Sequence, residues 1–186
     1  MGAAPHYGLG IRRAKAADAV CISALATQVF LDTYAIDGIR PSLALEVAET
    51  LSPTIIEDLL GQPARVFLVA EIGGRMIGFA QLTERAPHGL VPFTSSAELN
   101  RLYVQERFCG RGIGTALLFQ AETVAGANGA AGMWLTAWSG NARALGFYAS
   151  RAYTELGSIP FTVQGEEYEN RLFAKPLETG KPSQRA

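Results

Sequence analysis

The chain has 186 residues, 48% of them hydrophobic and 18% charged, with 16 Lys and Arg against 17 Asp and Glu for a formal net charge of −1. That length and balance describe one globular domain able to bury its own core, not a disordered chain. The near-neutral charge argues against nucleic acid or an anionic membrane as the main partner, since both select a basic face. Two separated cysteines, Cys21 and Cys109, make no disulfide framework. The chain shows neither a signal peptide nor an apolar run of membrane-span length, so a reducing cytoplasm is the expected location.

In chain order, residues 1–9 are rich in Gly, Ala and Pro and are expected to form a flexible leader, with a single domain over 10–177 and a tail over 178–186. A short strand is predicted at 11–14. Residues 17–34 carry Val20, Leu25 and Val29 at helical spacing, and Pro41-Ser42 opens a second helix through Leu51. Ser52, Pro53 and Gly61 supply a cap, a first turn and a stop for a short helix over 53–60. Two apolar runs around Gly73-Gly74 predict a β-hairpin. After a Pro- and Ser-containing loop at 86–96 come a strand (97–105), an amphipathic helix (112–127), a strand (133–138), a helix (141–150) and two antiparallel strands around Gly165. Runs of antiparallel strands with segregated helices imply an α+β fold with a mixed sheet. The helix at 112–127 suits a right-handed crossover.

The segment Gly110-Arg111-Gly112-Ile113-Gly114-Thr115 lies between a predicted strand and a predicted helix. Glycines at alternate positions let the backbone turn tightly and approach a ligand. A helix start leaves several N–H groups unpaired, and with the helix dipole they favour an anion. Arg111 adds a cation that could face phosphate. A Walker A loop needs a Gly-Lys-Ser/Thr, and no lysine stands here. A dinucleotide fingerprint needs GxGxxG and a later acidic residue, whereas this loop is GxGxG and the matching position falls in an Ala/Gly-rich stretch.

The run Cys109-Gly110-Arg111-Gly112-Ile113-Gly114 resembles the loop of the GNAT superfamily of acetyltransferases, with Cys109 at a position usually held by Gln or Arg. Leu102-Tyr103-Val104 resembles the splayed end of the family's fourth strand. Asn141-x-x-Ala144-x-x-Phe147-Tyr148 resembles its second signature, although Ala152-Tyr153 stands where Gly-Phe is usual. The likeness covers roughly residues 11–177. It implies a mostly antiparallel central sheet of six to seven strands flanked by about four helices, and acetyl-CoA as co-substrate without a metal.

The resemblance implies further roles. Backbone groups of Leu102 and Val104 would bond the pantetheine arm like an added strand. The amides of Gly110 to Thr115 would hold the pyrophosphate, with Cys109 beside them. Asn141 would reach the arm near its thiol end, although it also fits as a helix cap. Tyr148 would protonate the leaving thiolate, since a phenol keeps its proton at pH 7. Glu98 resembles a catalytic glutamate that takes the amine's proton directly or through water. The amide of Tyr103 or Val104 would polarise the thioester carbonyl. The helix-start position of Cys109 favours a lowered thiol pKa, but bound CoA would cover it, so no redox role is expected.

Phe30 to Tyr34, the Ser52-Pro53 helix, residues 98–104 and Trp134-Leu-x-x-Trp138 together resemble PaiA-type acetyltransferases, which implies a small amine such as a polyamine. Tyr34 is a candidate wall of the acceptor site. Trp138 fits either that role or core packing. The acidic run Glu166, Glu167 and Glu169 fits either a solvated strand edge or attraction of a cationic amine. Acetylation of a protein N-terminus or lysine, and a non-catalytic CoA-binding regulatory module, are the alternatives. Family members are often dimers, so a homodimer is an open expectation.

Overall fold

The computed structural model describes residues 8–178. The elements are β1 (Leu9–Arg13), α1 (Ala19–Tyr34), α2 (Pro41–Thr50), α3 (Pro53–Leu60), β2 (Arg65–Ile72), β3 (Arg75–Thr83), β4 (Ser96–Val104), α4 (Ile113–Ala127), β5 (Gly132–Trp138), α5 (Ala142–Ala149), β6 (Thr154–Val163) and β7 (Glu166–Pro176). Residues 1–7 of the expected leader and 179–186 of the expected tail lie outside the described residues. Leu9, within the expected leader, belongs to β1.

Local sequence accounts for most boundaries. Pro41 and Pro53 each open a helix at its first position, where the missing N–H costs nothing. Ser52 precedes α3 in an extended conformation, yet its hydroxyl makes no capping bond, so Pro53 sets that start. The β2–β3 turn places Gly73 and Gly74 at φ of 58° and 70°. Two successive positive φ values match the right-handed twist of a hairpin, and glycine adopts them without strain.

The sheet has seven strands in the order β1-β2-β3-β4-β5-β7-β6, all neighbours antiparallel except β4 and β5. Helix α4 makes the parallel crossover between those two. They pair only at Ser96, Ala97 and Glu98 against Gly132, Met133 and Trp134. Beyond that point they separate. At the same level the β3–β4 register shifts between the Gln81–Arg101 and Leu82–Leu99 pairs, which leaves Asn100 as an extra residue. A bulge bends its strand. Here Asn100 Oδ1 is held by Arg65 Nη1 at 3.2 Å and Thr83 Oγ1 at 2.6 Å.

Helix α4 covers one face of the sheet, its Leu117, Leu118 and Ala121 packing with Leu68, Ala80, Leu99, Met133 and Leu135. On the other face, Ile22, Ala26 and Phe30 of α1 and Ile56 of α3 pack on Phe67, Val69 and Phe79. A third cluster sets Val91 of the 84–95 loop against Trp134, Leu172 and Ala174. Residues 16–34 do reach the length and apolarity of a membrane-spanning helix, contrary to the sequence expectation. Ile22, Leu25, Ala26 and Phe30 bury one side of that helix in the core, which accounts for its apolar character.

Candidate active site

Side chains alternate along a strand, so Glu98, Arg101 and Tyr103 of β4 share the face opposite α4 with Thr136 and Trp138 of β5. Where the two strands part, a cavity of about 660 Å³ runs through the sheet, walled by Leu99 to Val104 on one side and Thr136 to Trp138 on the other. One mouth meets the start of α4. Gly110 and Gly112 there have φ of 74° and 80°, values that disfavour any residue with a Cβ. Gly112 is the helix N-cap, and no side chain caps it. The first intrahelical bond at this end runs from the Ala116 amide to the Gly112 carbonyl, so the amides of Ile113, Gly114 and Thr115 have no helical acceptor.

The remaining loop residues divide. Gly114 and Thr115 line the cavity, and an added Cβ at Gly114 would sit 3.4 Å from the Phe147 ring. The Ile113 side chain turns into the core at 3% exposure, which leaves only its backbone for a ligand. Arg111 is exposed, its guanidinium 5.4 Å from the centre of the Phe108 ring, and it does not line the cavity. Arg151, which the motifs do not include, does line it. Its guanidinium lies 3.8 Å from the Phe147 ring centre and donates to Thr115 Oγ1. A signal was present in the sequence, because Arg151 follows Phe147 by four residues, just past the predicted helix end. Cys109 also lines the cavity, its thiol 3.7 Å from the carbonyls of Val104 and Gln105. Burial raises its pKa, Arg143 opposing this and Glu106 adding to it. The lowering expected from the helix start is therefore reversed by desolvation.

Tyr148 and Asn141 also line the cavity. Tyr148 is 8% exposed and packs edge-on to Phe147 and Tyr153, and its hydroxyl has no hydrogen-bond partner among the described residues. Burial first, and Tyr103 second, hold its phenol well above the ordinary value. Asn141 Oδ1 accepts from the Ala144 amide at 3.0 Å, so it caps α5 while lining the cavity.

At the other mouth Tyr34 and Trp138 both line the wall, with ring centres 5.4 Å apart. Tyr168 meets both edge-on, at 6.0 and 6.2 Å. Its hydroxyl accepts from Arg40 at 2.7 Å and donates to Glu166 at 2.9 Å. Glu166 also holds Arg40 and Ser42, and Glu169 pairs with Arg171. Both carboxylates are thus occupied by neighbouring cations rather than directed at the cavity. Glu98 sits where β4 and β5 still pair, half-buried and just outside the wall. Burial raises its pKa, against smaller opposing effects of Asn100, Arg65, His88 and Arg101. Arg101 and Thr136 are wall residues that the sequence motifs do not single out.

The Acetyltransferase (GNAT) family model matches residues 32–153. The chain belongs to the GNAT family. An uncharacterised N-acetyltransferase of Lactobacillus delbrueckii subsp. lactis is 30% identical over 165 residues, covering 83% of this chain and 89% of that protein. Another from Bacillus subtilis is 31% identical over 153 residues, covering 79% and 91%. Among solved structures, PaiA N-acetyltransferase from Thermoplasma acidophilum in complex with coenzyme A superposes with a TM-score of 0.70 at 21% identity, covering 91% of this chain and 99% of that one. The acetyltransferase therefore carries the family's α+β fold, and its activity is N-acetyl transfer.

Proposed function

We propose that the protein moves an acetyl group from acetyl-CoA to a primary amine of a small molecule by direct attack on the thioester. The observation that carries this reading is the unpartnered Tyr148 hydroxyl inside the gap between β4 and β5. Residues 99–104 have no strand on their β5 side, so Leu102 and Val104 offer backbone groups to an extended pantetheine arm. The free amides at the α4 start, with Arg151 and Thr115 beside them, take the pyrophosphate. The coenzyme A bound to PaiA supports the same donor here. Two free cysteines fit the reducing cytoplasm.

The amine must first lose a proton. Among the described wall residues none is a carboxylate or a histidine, which leaves Glu98, just beyond the wall, to accept that proton through water. A raised carboxyl pKa makes Glu98 a stronger base than an exposed one. The nitrogen then forms its bond to the carbonyl carbon while the Tyr103 or Val104 amide stabilises the developing oxyanion. As the C–S bond breaks, Tyr148 delivers its proton to the thiolate. Its raised pKa keeps it protonated until that moment. Arg40 ties the start of α2 to Tyr168 and Glu166 beside the Tyr34–Trp138 wall. Among small-molecule amines the sequence resemblance implies a polyamine.

The test is CoA release over a panel of amines with Tyr148→Phe beside wild type. Loss of a general acid lowers kcat by about 100- to 10,000-fold, with acetyl-CoA binding retained. Turnover equal to wild type would remove Tyr148 from the mechanism. Absence of CoA release with every amine would point to a regulatory CoA-binding module.

A further inference from the structure

Three charged residues line the cavity among the described residues, and all are arginines. Arg143 pairs with Glu106 at 2.7 Å. Arg151 is fixed on Phe147 and Thr115 at the mouth assigned to the pyrophosphate. Arg101 is different. It lies on β4 three residues before Val104, roughly 10 Å along the strand from the thioester end, on the face shared with Thr136 and Trp138. Its Nη1 donates to the side-chain carbonyl of Gln81, a residue 1% exposed. No carboxylate among the described residues lies within ion-pair distance of it. The Tyr103 hydroxyl is its other side-chain neighbour. A half-buried guanidinium with only neutral partners leaves desolvated donors, and such donors favour an anion. The cofactor's phosphates are committed to the opposite mouth.

A second group on the same face also lacks a partner. Asn170, opposite Trp138 on β7, is 5% exposed. Its amide nitrogen reaches Thr136 Oγ1 at 3.4 Å, and Thr136 lines the cavity. Its Oδ1 is buried without a hydrogen-bond partner. Asn170 does not itself line the cavity, so of this pair only Thr136 meets a ligand there.

We propose that the acceptor is an amino-acid-type zwitterion, with Arg101 holding its carboxylate while its primary amine faces the thioester. Arg101 and Tyr103 are two positions apart on one face, roughly 7 Å, the scale of a short amino acid. Thr136 supplies a polar contact on the β5 side. A polyamine meets a different wall: among the described residues no carboxylate lines this cavity, and its charges face Arg101 instead. This deepens the acetyl-transfer reading above and rests on it.

The experiment compares initial rates of CoA release for α-, β- and γ-amino acids, for the matched carboxamides and for spermidine. The expected result is a kcat/KM for one or more acids about 10- to 100-fold above the matched amide, the value of a hydrogen bond to a charged group. Arg101→Gln lowers that preference by raising KM for the acid more than for the amide. Arg101→Lys restores part of it. Thermal melting with CoA present checks that both variants fold, and the wild-type comparison stands without them. Carboxamides or spermidine turned over as well as the acids by the wild type would overturn the inference and leave small-amine acetylation standing. Turnover of peptide N-termini or lysines alone, or of nothing, would overturn both.

Discussion

Gly78 sits in β3 directly against the strand that walls the cavity. A Cβ added there would meet the Tyr103 carbonyl oxygen at 2.8 Å, Val104 Cγ2 at 3.2 Å and Leu117 Cδ1 at 3.3 Å. The first of these is backbone and cannot move aside without moving β4. Overpacking of this kind costs about 1–3 kcal/mol, and the reduced freedom of the unfolded chain returns about 0.4–1 kcal/mol. Gly78→Ala should therefore destabilise the protein by roughly 1–2 kcal/mol, a fall in Tm of about 2–8 °C for a chain of this size. Because the displaced atoms belong to Tyr103 and Val104, KM for acetyl-CoA should rise in the same variant. Calorimetry and CoA-release kinetics measure the two effects. An unchanged or higher Tm with unchanged KM would show that β3 and β4 do not need this close approach.

Arg151→Ala removes both the contact with Phe147 and the bond to Thr115, and should raise KM for acetyl-CoA by about ten-fold, the effect of losing a charged hydrogen bond. An unchanged KM would place the phosphates elsewhere. Glu98→Gln should lower kcat/KM by about 100-fold and abolish its acid limb, because a base acts only when ionised and burial has raised this carboxyl's pKa. The stability effect has the opposite sign. With a raised native pKa the folded state binds more protons than the unfolded state over the interval between the two values, so stability falls as pH rises through it. The Gln variant lacks that penalty and should melt higher at neutral pH. A lower Tm there would contradict the assignment of burial as the cause of the shift.

Periodicity and punctuation made most elements legible. The Pro53 start and the Gly73-Gly74 turn depend on backbone rules that act within a few residues, and the structure places both as expected. The glycine loop was legible for the same reason, since a positive φ is written into residue type. Side-chain direction was not. Ile113 points into the core and Arg111 away from the cavity, because α4 docks its apolar side on the sheet and fixes which loop residues turn inward. The thiol of Cys109 depended on how deeply the loop packs, a tertiary matter that outweighs the helix dipole. Arg101 was hidden among strand residues. Its significance needs the parting of β4 from β5, a contact between segments 36 residues apart that no local pattern records.

That parting also bears on motion. Hydrogen bonding between the two halves of the sheet, β1–β4 and β5–β7, runs through three residue pairs. So short a seam resists opening and closing far less than the long ladders on either side of it. Any ligand lying in the cleft touches both halves at once, and its affinity depends on the angle between them. The energy that fixes this angle then comes partly from the ligand, which makes the donor a structural component of the site that receives the acceptor.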